Sequence, residues 1–168
     1  SYESESNNTL STATSATLGT LISGQLASTS DVDYYKYSVT EAGSFAFTFD
    51  APTSDNYSNY FNISVYNSSG TLLASQKTGK DFIFNSSAFS AGDYYVAVTS
   101  SDYYNSGQYS LTTAFTAGNQ SSYEAESNNT LETATNSTLG TIISGQLASR
   151  TDVDYYKYSV TEAGSFAF

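Results

Sequence analysis

Residues 1–47 of this chain recur, without a gap, as residues 122–168, a period of 121. Seven positions differ: Ser4/Ala125, Ser11/Glu132, Ser15/Asn136, Ala16/Ser137, Leu21/Ile142, Thr29/Arg150 and Ser30/Thr151. Self-similarity of this degree is the signature of a repeat architecture. It divides the chain into one complete unit, 1–121, and the first part of a second, near-identical unit, 122–168. The polar stretch Thr116-Ala117-Gly118-Asn119-Gln120-Ser121-Ser122 reads as the linker between them. Phe168, the counterpart of Phe47, falls inside a strand pattern, and a half-unit would leave Phe166, Phe168 and an unpaired edge open to water. A tandem array is therefore expected, its units completed within one chain or by neighbouring copies.

Inside the unit the periodicity is that of strands. Tyr35, Tyr37 and Val39 alternate with Tyr34, Lys36 and Ser38. After the Glu41-Ala42-Gly43 turn, Phe45, Phe47 and Phe49 alternate with smaller residues. Phe61/Ile63/Val65 leads into the turn Asn67-Ser68-Ser69-Gly70, and Leu72-Leu73, Phe82-Ile83-Phe84, Tyr94/Val96/Val98 and Tyr109/Leu111/Thr113 follow. Only Asn7 to Ala16 has room for a short helical turn. The expected fold is all-β: an antiparallel, jelly-roll-like β-sandwich of about eight strands, tandemly repeated.

The chain has no Cys, Met, Trp or His. Thiol nucleophiles, disulfides, imidazole bases and nitrogen or sulfur metal ligands are excluded together, and with them Ser/His/Asp and Cys/His catalysis. A glycosidase pair built on Asp31 and Asp33 is the remaining enzymatic option. Those two acids sit close on one strand beside two more, which suits a cation better than a split pair of acid and base, so a non-enzyme is expected. Five Lys and Arg against sixteen Asp and Glu give a formal charge of −11. That charge repels nucleic acid and anionic lipid, whose binding rests on basic contacts to phosphate. No apolar run approaches the roughly 20 residues that span a bilayer, so no membrane insertion is expected. Asn-x-Ser/Thr sequons at Asn7, Asn56, Asn62, Asn67, Asn85, Asn119, Asn128 and Asn136 favour a secreted or surface-displayed chain that is a possible glycoprotein, although polar strand faces and turns of this composition produce the pattern too.

Half of the acids fall in two equivalent clusters. Glu3, Glu5, Asp31 and Asp33 form the first; Glu124, Glu126, Asp152 and Asp154 form the second. In an extended chain, alternation sends Glu3 and Glu5 to one side, and Asp31 and Asp33 likewise. Two such pairs brought together repel unless a cation lies between them, and an all-oxygen set suits calcium better than magnesium, which keeps its waters. The plainer alternative is a set of solvated turn acids. The Asp-x-Asp-x-Asp-Gly loop of an EF-hand is absent.

With its ESESNNT opening, ATLGTLISGQL, the DVDYYKYSV entry, AGSFAF, VYNSSGTLLAS, AGDYYVAV and SGQYSLT, the chain resembles the bacterial pre-peptidase C-terminal domain family. Those modules accompany secreted peptidases and other surface proteins, and include the collagen-binding domains of clostridial collagenases. The resemblance spans the first unit and the present part of the second. It implies a β-sandwich of about eight strands and, from the collagen-binding members, calcium held between an acidic leading segment and the sheet. The matching ligands are Glu3, Glu5, Asn7, Asn8, Asp31 and Asp33, with Glu124, Glu126, Asn128, Asn129, Asp152 and Asp154 in the second copy. Asn8 stands where those members tend to have Asp, which weakens the local charge.

Sixteen tyrosines, several paired, raise the prospect of a contact face. If Tyr35 and Tyr94 are core, Tyr34 and Tyr95 face outward, and Ser101-Asp102-Tyr103-Tyr104-Asn105 is the most exposed-looking loop. Outward tyrosines also suit ordinary strand faces through propensity and cross-strand pairing. Two functions follow as expectations. One is a non-catalytic extracellular structural or adhesive repeat, stiffened by calcium into a cell-surface stalk or filament whose partners are other copies of itself. The other is a substrate-targeting accessory domain of a secreted hydrolase, binding collagen-like matrix protein or polysaccharide.

Overall fold

The structure, a computed structural model, describes residues 1–118 and 122–168. The Asn119 sequon and the middle of the linker fall outside the described residues. The first unit is built from nine strands: β1 (Thr14–Ser15), β2 (Ile22–Gly24), β3 (Val32–Val39), β4 (Gly43–Asp50), β5 (Phe61–Asn67), β6 (Leu72–Thr78), β7 (Phe82–Ala88), β8 (Gly92–Ser100) and β9 (Tyr109–Ala117). They form a five-stranded sheet ordered β1-β3-β8-β5-β6 and a four-stranded sheet ordered β2-β9-β4-β7.

The two sheets pack through the residues that the alternation marks. Tyr35, Tyr37 and Val39 of β3, Phe61, Ile63 and Val65 of β5, and Tyr94, Val96 and Val98 of β8 form one inner face. Phe45, Phe47 and Phe49 of β4 with Tyr109 and Leu111 of β9 form the other. Burying each such side chain contributes about 1.5–3 kcal/mol, so this single core dominates the unit's stability. Its aromatic rings lie edge-on and stacked in a continuous run, with Phe49 5.3 Å from both Phe61 and Tyr109.

One expectation needs correction. The sheets are not wholly antiparallel: β1 pairs in parallel with β3, and Tyr2 bridges Ser23 of β2 in parallel. These short pairings come from the leading segment, which lies along strands already held by longer antiparallel partners. The helical turn within Asn7 to Ala16 is present as a 3₁₀ turn, Leu10–Thr12, capped by Thr9.

The second copy does not build a second sandwich. Residues 122–168 form a parallel pair, β10 (Thr135–Ser137) and β11 (Tyr156–Tyr158), with the register of β1 on β3, and the parallel bridge Tyr123–Ser144 that repeats Tyr2–Ser23. In the first unit β3 is held by β8, and β4 by β7 and β9. Residues 122–168 contain no counterparts of those strands, so Gly164–Phe168 is not a strand and Phe168 is fully exposed.

Candidate metal centre

The leading segment reaches the sandwich through its backbone: Glu3 N donates to Ser23 O at 2.9 Å, and Ser23 N to Ser1 O at 2.9 Å. This lays Glu3 over the end of β2, where its carboxylate is tied on three sides. Oε1 accepts from Gln25 N at 2.7 Å, while Oε2 accepts from Tyr35 Oη at 2.8 Å and Asn7 Nδ2 at 3.4 Å. Asp33, on β3, is fully buried, and its Oδ2 accepts from Tyr109 Oη at 2.5 Å. Glu3, Glu5 and Asp33 each bring a carboxylate oxygen within 4.8 Å of the other two.

Gly24 makes this arrangement possible. A Cβ there would fall on the hydroxyls of both Tyr35 and Tyr109, the two groups that reach up from the core to the carboxylates. Asn7 is also fully buried. Its Nδ2 donates to Glu3 Oε2 and Thr14 Oγ1, and its backbone carbonyl accepts from Tyr34 N, leaving Oδ1 without a partner. Asp33 Oδ1 is buried and unpartnered as well. Such orphaned acceptors are uncommon in folded proteins and cost free energy when left so.

Burial pushes the Asp33 carboxyl up to about 8, with the neighbouring Glu3 and Asp31 charges adding to the shift and the Tyr109 hydroxyl opposing it. Glu5 is raised by burial and by Asp31 and Glu3. A cluster that prefers protons to its own negative charge is one that a cation would relieve.

The same constellation recurs in the second copy. Glu124, Glu126 and Asp154 meet within 4.8 Å. Glu124 Oε2 accepts from Tyr156 Oη at 2.7 Å and Asn128 Nδ2 at 3.3 Å, and its Oε1 from Gln146 N. Asn128 Oδ1, Glu126 Oε1 and Asp154 Oδ1 are buried without partners. Burial, followed by the Asp152 charge, lifts Glu126 to about 7; burial, followed by Glu124, lifts Asp154 to about 6.

Of the sequence-derived ligands, Glu3, Glu5, Asn7 and Asp33 come together, as do Glu124, Glu126, Asn128 and Asp154. Asp31 and Asp152 stand beside the clusters with both oxygens occupied by loop amides: Asp31 accepts from Ala27 N and Val32 N, Asp152 from Ala148 N and Val153 N. Asn8 and Asn129 are exposed. Sequence reasoning missed Tyr35 and Tyr109 as carboxylate partners, because nothing local links residue 109 to a strand 76 positions earlier.

Two sequons need correction as glycan acceptors. Asn7 and Asn128 are fully buried with their amides engaged beneath the carboxylates, which leaves no path for a sugar. Asn62 and Asn67 are half-buried and hydrogen-bonded, whereas Asn56, Asn85 and Asn136 are exposed.

Tyr35 and Tyr94 are core, and Tyr34 and Tyr95 lie on the outer face of the five-stranded sheet. Both are half-buried, because Tyr34 packs 6.3 Å from the Tyr66 ring and Tyr95 pairs with Tyr66 in register. Tyr66 was legible in the same alternation, opposite Ile63 and Val65. Tyr103 is exposed, while Tyr104 donates to Leu26 O at 2.9 Å and ties its loop to the connection between β2 and β3. Among the described residues no helix is long and apolar enough to cross a membrane.

No family model matches the chain, and no curated protein does. Among solved structures it is similar to the pre-peptidase C-terminal domain of a collagenase from Bacillus anthracis, at 24% identity, covering 60% of this chain and 93% of that one, with a TM-score of 0.48. It is also similar to PliG, a periplasmic inhibitor of g-type lysozyme from Aeromonas hydrophila, at 11% identity, covering 61% and 94%, with a TM-score of 0.44. The first of these bears the family name that the acidic opening and the Asp-Val-Asp-Tyr-Tyr entry suggest.

Proposed function

We propose that this chain is a non-catalytic β-sandwich module of an extracellular or cell-surface protein, its leading segment clasped to the sandwich by calcium, and that its units follow one another in an array forming a stalk or filament. The observation that supports this is the coincidence, in both copies, of three carboxylates with buried, unpartnered oxygens. In the first copy those are Asn7 Oδ1 and Asp33 Oδ1. Glu3, Glu5, Asp33 and the Asn7 amide oxygen would hold the ion, and its positive charge would offset their repulsion. Glu3, Glu5 and Asn7 belong to the leading segment and Asp33 to β3, so an ion between them joins linker to body. A cation that binds only the clasped state stabilises it by RT ln(1 + [L]/Kd), about 2.7 kcal/mol at a hundredfold excess over Kd. The test is the melting temperature in calcium, magnesium and chelator: calcium raises it above both others, and identical values reject the clasp.

A second reading is favoured by the aromatic face. Tyr34, Tyr66 and Tyr95 adjoin on the outer side of the five-stranded sheet, where half-buried rings offer contact area at low entropic cost. On this reading the module directs a secreted hydrolase to collagen-like matrix protein or polysaccharide. Retention on immobilised collagen or polysaccharide that is lost on Tyr34→Ala and Tyr66→Ala substitution supports it; retention of neither rejects it.

A further inference from the structure

The same 47-residue sequence occurs in two surroundings, and the differences in burial show what the first unit covers. Tyr2 is 72% exposed, whereas Tyr123 is half-buried. Glu5 is exposed and Glu126 half-buried; Ala27 is exposed, and Ala148 is only 7% so. These gains occur even though the second copy lacks most of a body of its own, and Leu147 is 61% exposed where Leu26 is fully buried. The cover comes from one flank of the first unit. Leu72 lines a cleft with Ala148 and Arg150, and the Thr71-Leu72 turn lines another with Glu126 and Asp152. At the edge strand β7, Gln146 Nε2 donates to Asn85 O at 2.8 Å, and Tyr123 shares a cleft with Asn85 and Ser87.

We infer that this flank — the Thr71-Leu72 turn, the free edge of β7 and the Asp102 loop — is a docking face for the first part of the next unit, its leading segment together with the 146–152 loop beside it. Arg150 is the only one of the seven differences between copies that adds a positive charge, and it lines a polar cleft with Asn59, Gln76 and the Lys77–Asp102 ion pair. In the first copy the position is Thr29. The contact is heterologous, since the first part of one unit meets the flank of another, and a contact of this kind repeats from unit to unit, building an open array wherever its rotation does not close a ring. The equivalent donor surface of the first unit, around Tyr2, Glu5 and Ala27, is uncovered and remains open to the flank of a preceding unit. The joint goes beyond the clasp and holds whether or not the carboxylate clusters take a cation.

The cysteine-free chain allows a direct trap. In the full chain, Leu72→Cys with Ala148→Cys should close a disulfide under mild oxidation at least about tenfold faster than a control pair, Leu72→Cys with Ala163→Cys, because docking raises the effective concentration of the thiols. Closure no faster than the control, in both calcium and chelator, overturns the joint. Ala148→Glu supplies an independent reading by solution scattering: the radius of gyration rises as residues 122–168 leave the flank, and an unchanged radius overturns the proposal. Loss of calcium-dependent melting with disulfide closure intact would reject the clasp and leave the joint standing.

Discussion

The hydroxyls of Tyr35 and Tyr109 stand 2.7 Å apart in the core beneath Gly24, each also bonded to a different carboxylate of the cluster. Glu3, Tyr35, Tyr109 and Asp33 are thereby linked by three short contacts. Two hydroxyl protons cannot fill three hydrogen bonds. With both carboxylates ionised, one contact is a bare meeting of oxygens; a third proton, held on a carboxyl, completes the chain. The geometry and the raised Asp33 value therefore agree: without a cation, the cluster holds a proton.

The first prediction concerns pH. A carboxyl whose folded value lies near 8, against an ordinary value of about 3.9, is favoured in its neutral form by folding. Its contribution is fully present below about pH 4 and is lost as pH rises through about 8. In chelator the melting temperature should fall from pH 5 to pH 8.5, and saturating calcium should flatten that slope by replacing the proton. Calorimetry across the range checks it; a metal-free melting temperature that climbs with pH contradicts the buried, protonated Asp33.

Asp33→Asn separates the proton from the metal. The amide can donate an N–H to the Tyr109 hydroxyl in place of the carboxyl proton and cannot ionise, so the metal-free protein should lose most of its pH slope between 5 and 8.5. It should also lose most of the calcium-induced rise, about 2.7 kcal/mol for the wild type at a hundredfold excess over Kd. Thermal titration with calcium reads both. A full calcium response in this variant would remove Asp33 from the ligand set.

Legibility in the sequence followed the range of the interactions. The inward faces of β3 and β4 could be read from Tyr35, Tyr37, Val39, Phe45, Phe47 and Phe49, because a period of two needs only local sequence. β1 and β2 were not legible: two and three residues long, they exist because longer strands offer them an edge. Three of the four acids in each cluster meet as alternation suggested. The fourth, Asp31 or Asp152, turned inward to its own loop, a choice set by the amides of Ala27 and Val32 or of Ala148 and Val153. Asn7 read equally as a glycan acceptor and as a ligand, and only its burial decides between them.

Gly24→Ala tests the channel through which core tyrosines reach the carboxylates. The added methyl falls on both hydroxyls, and displacing them should cost about 1–3 kcal/mol, as overpacking of a well-filled core does. Tyr35→Phe removes one obstructing oxygen, so the double variant should be less destabilised than the sum of the singles. Chemical denaturation of the four proteins measures the coupling. Strict additivity would mean that the glycine serves the backbone and not the hydroxyls.

The duplicated sequence supplies its own control for the core. Phe47 and Phe168 occupy equivalent positions, yet Phe47 is 1% exposed between β7 and β9, while Phe168 is fully exposed. Phe47→Ala should lower the stability of the main unfolding transition by about 3–5 kcal/mol, the cost of emptying a buried aromatic site. Phe168→Ala should leave that transition within about 0.5 kcal/mol, as surface changes do. The two substitutions share residue type and local sequence, so any difference arises from the sheet around Phe47, which brings Phe84 to 4.8 Å and Phe45 to 5.5 Å of its ring. Denaturant unfolding monitored by tyrosine fluorescence reads both. Equal losses would mean that residues 122–168 share a cooperative core with the first unit, and that Phe168 is buried in solution.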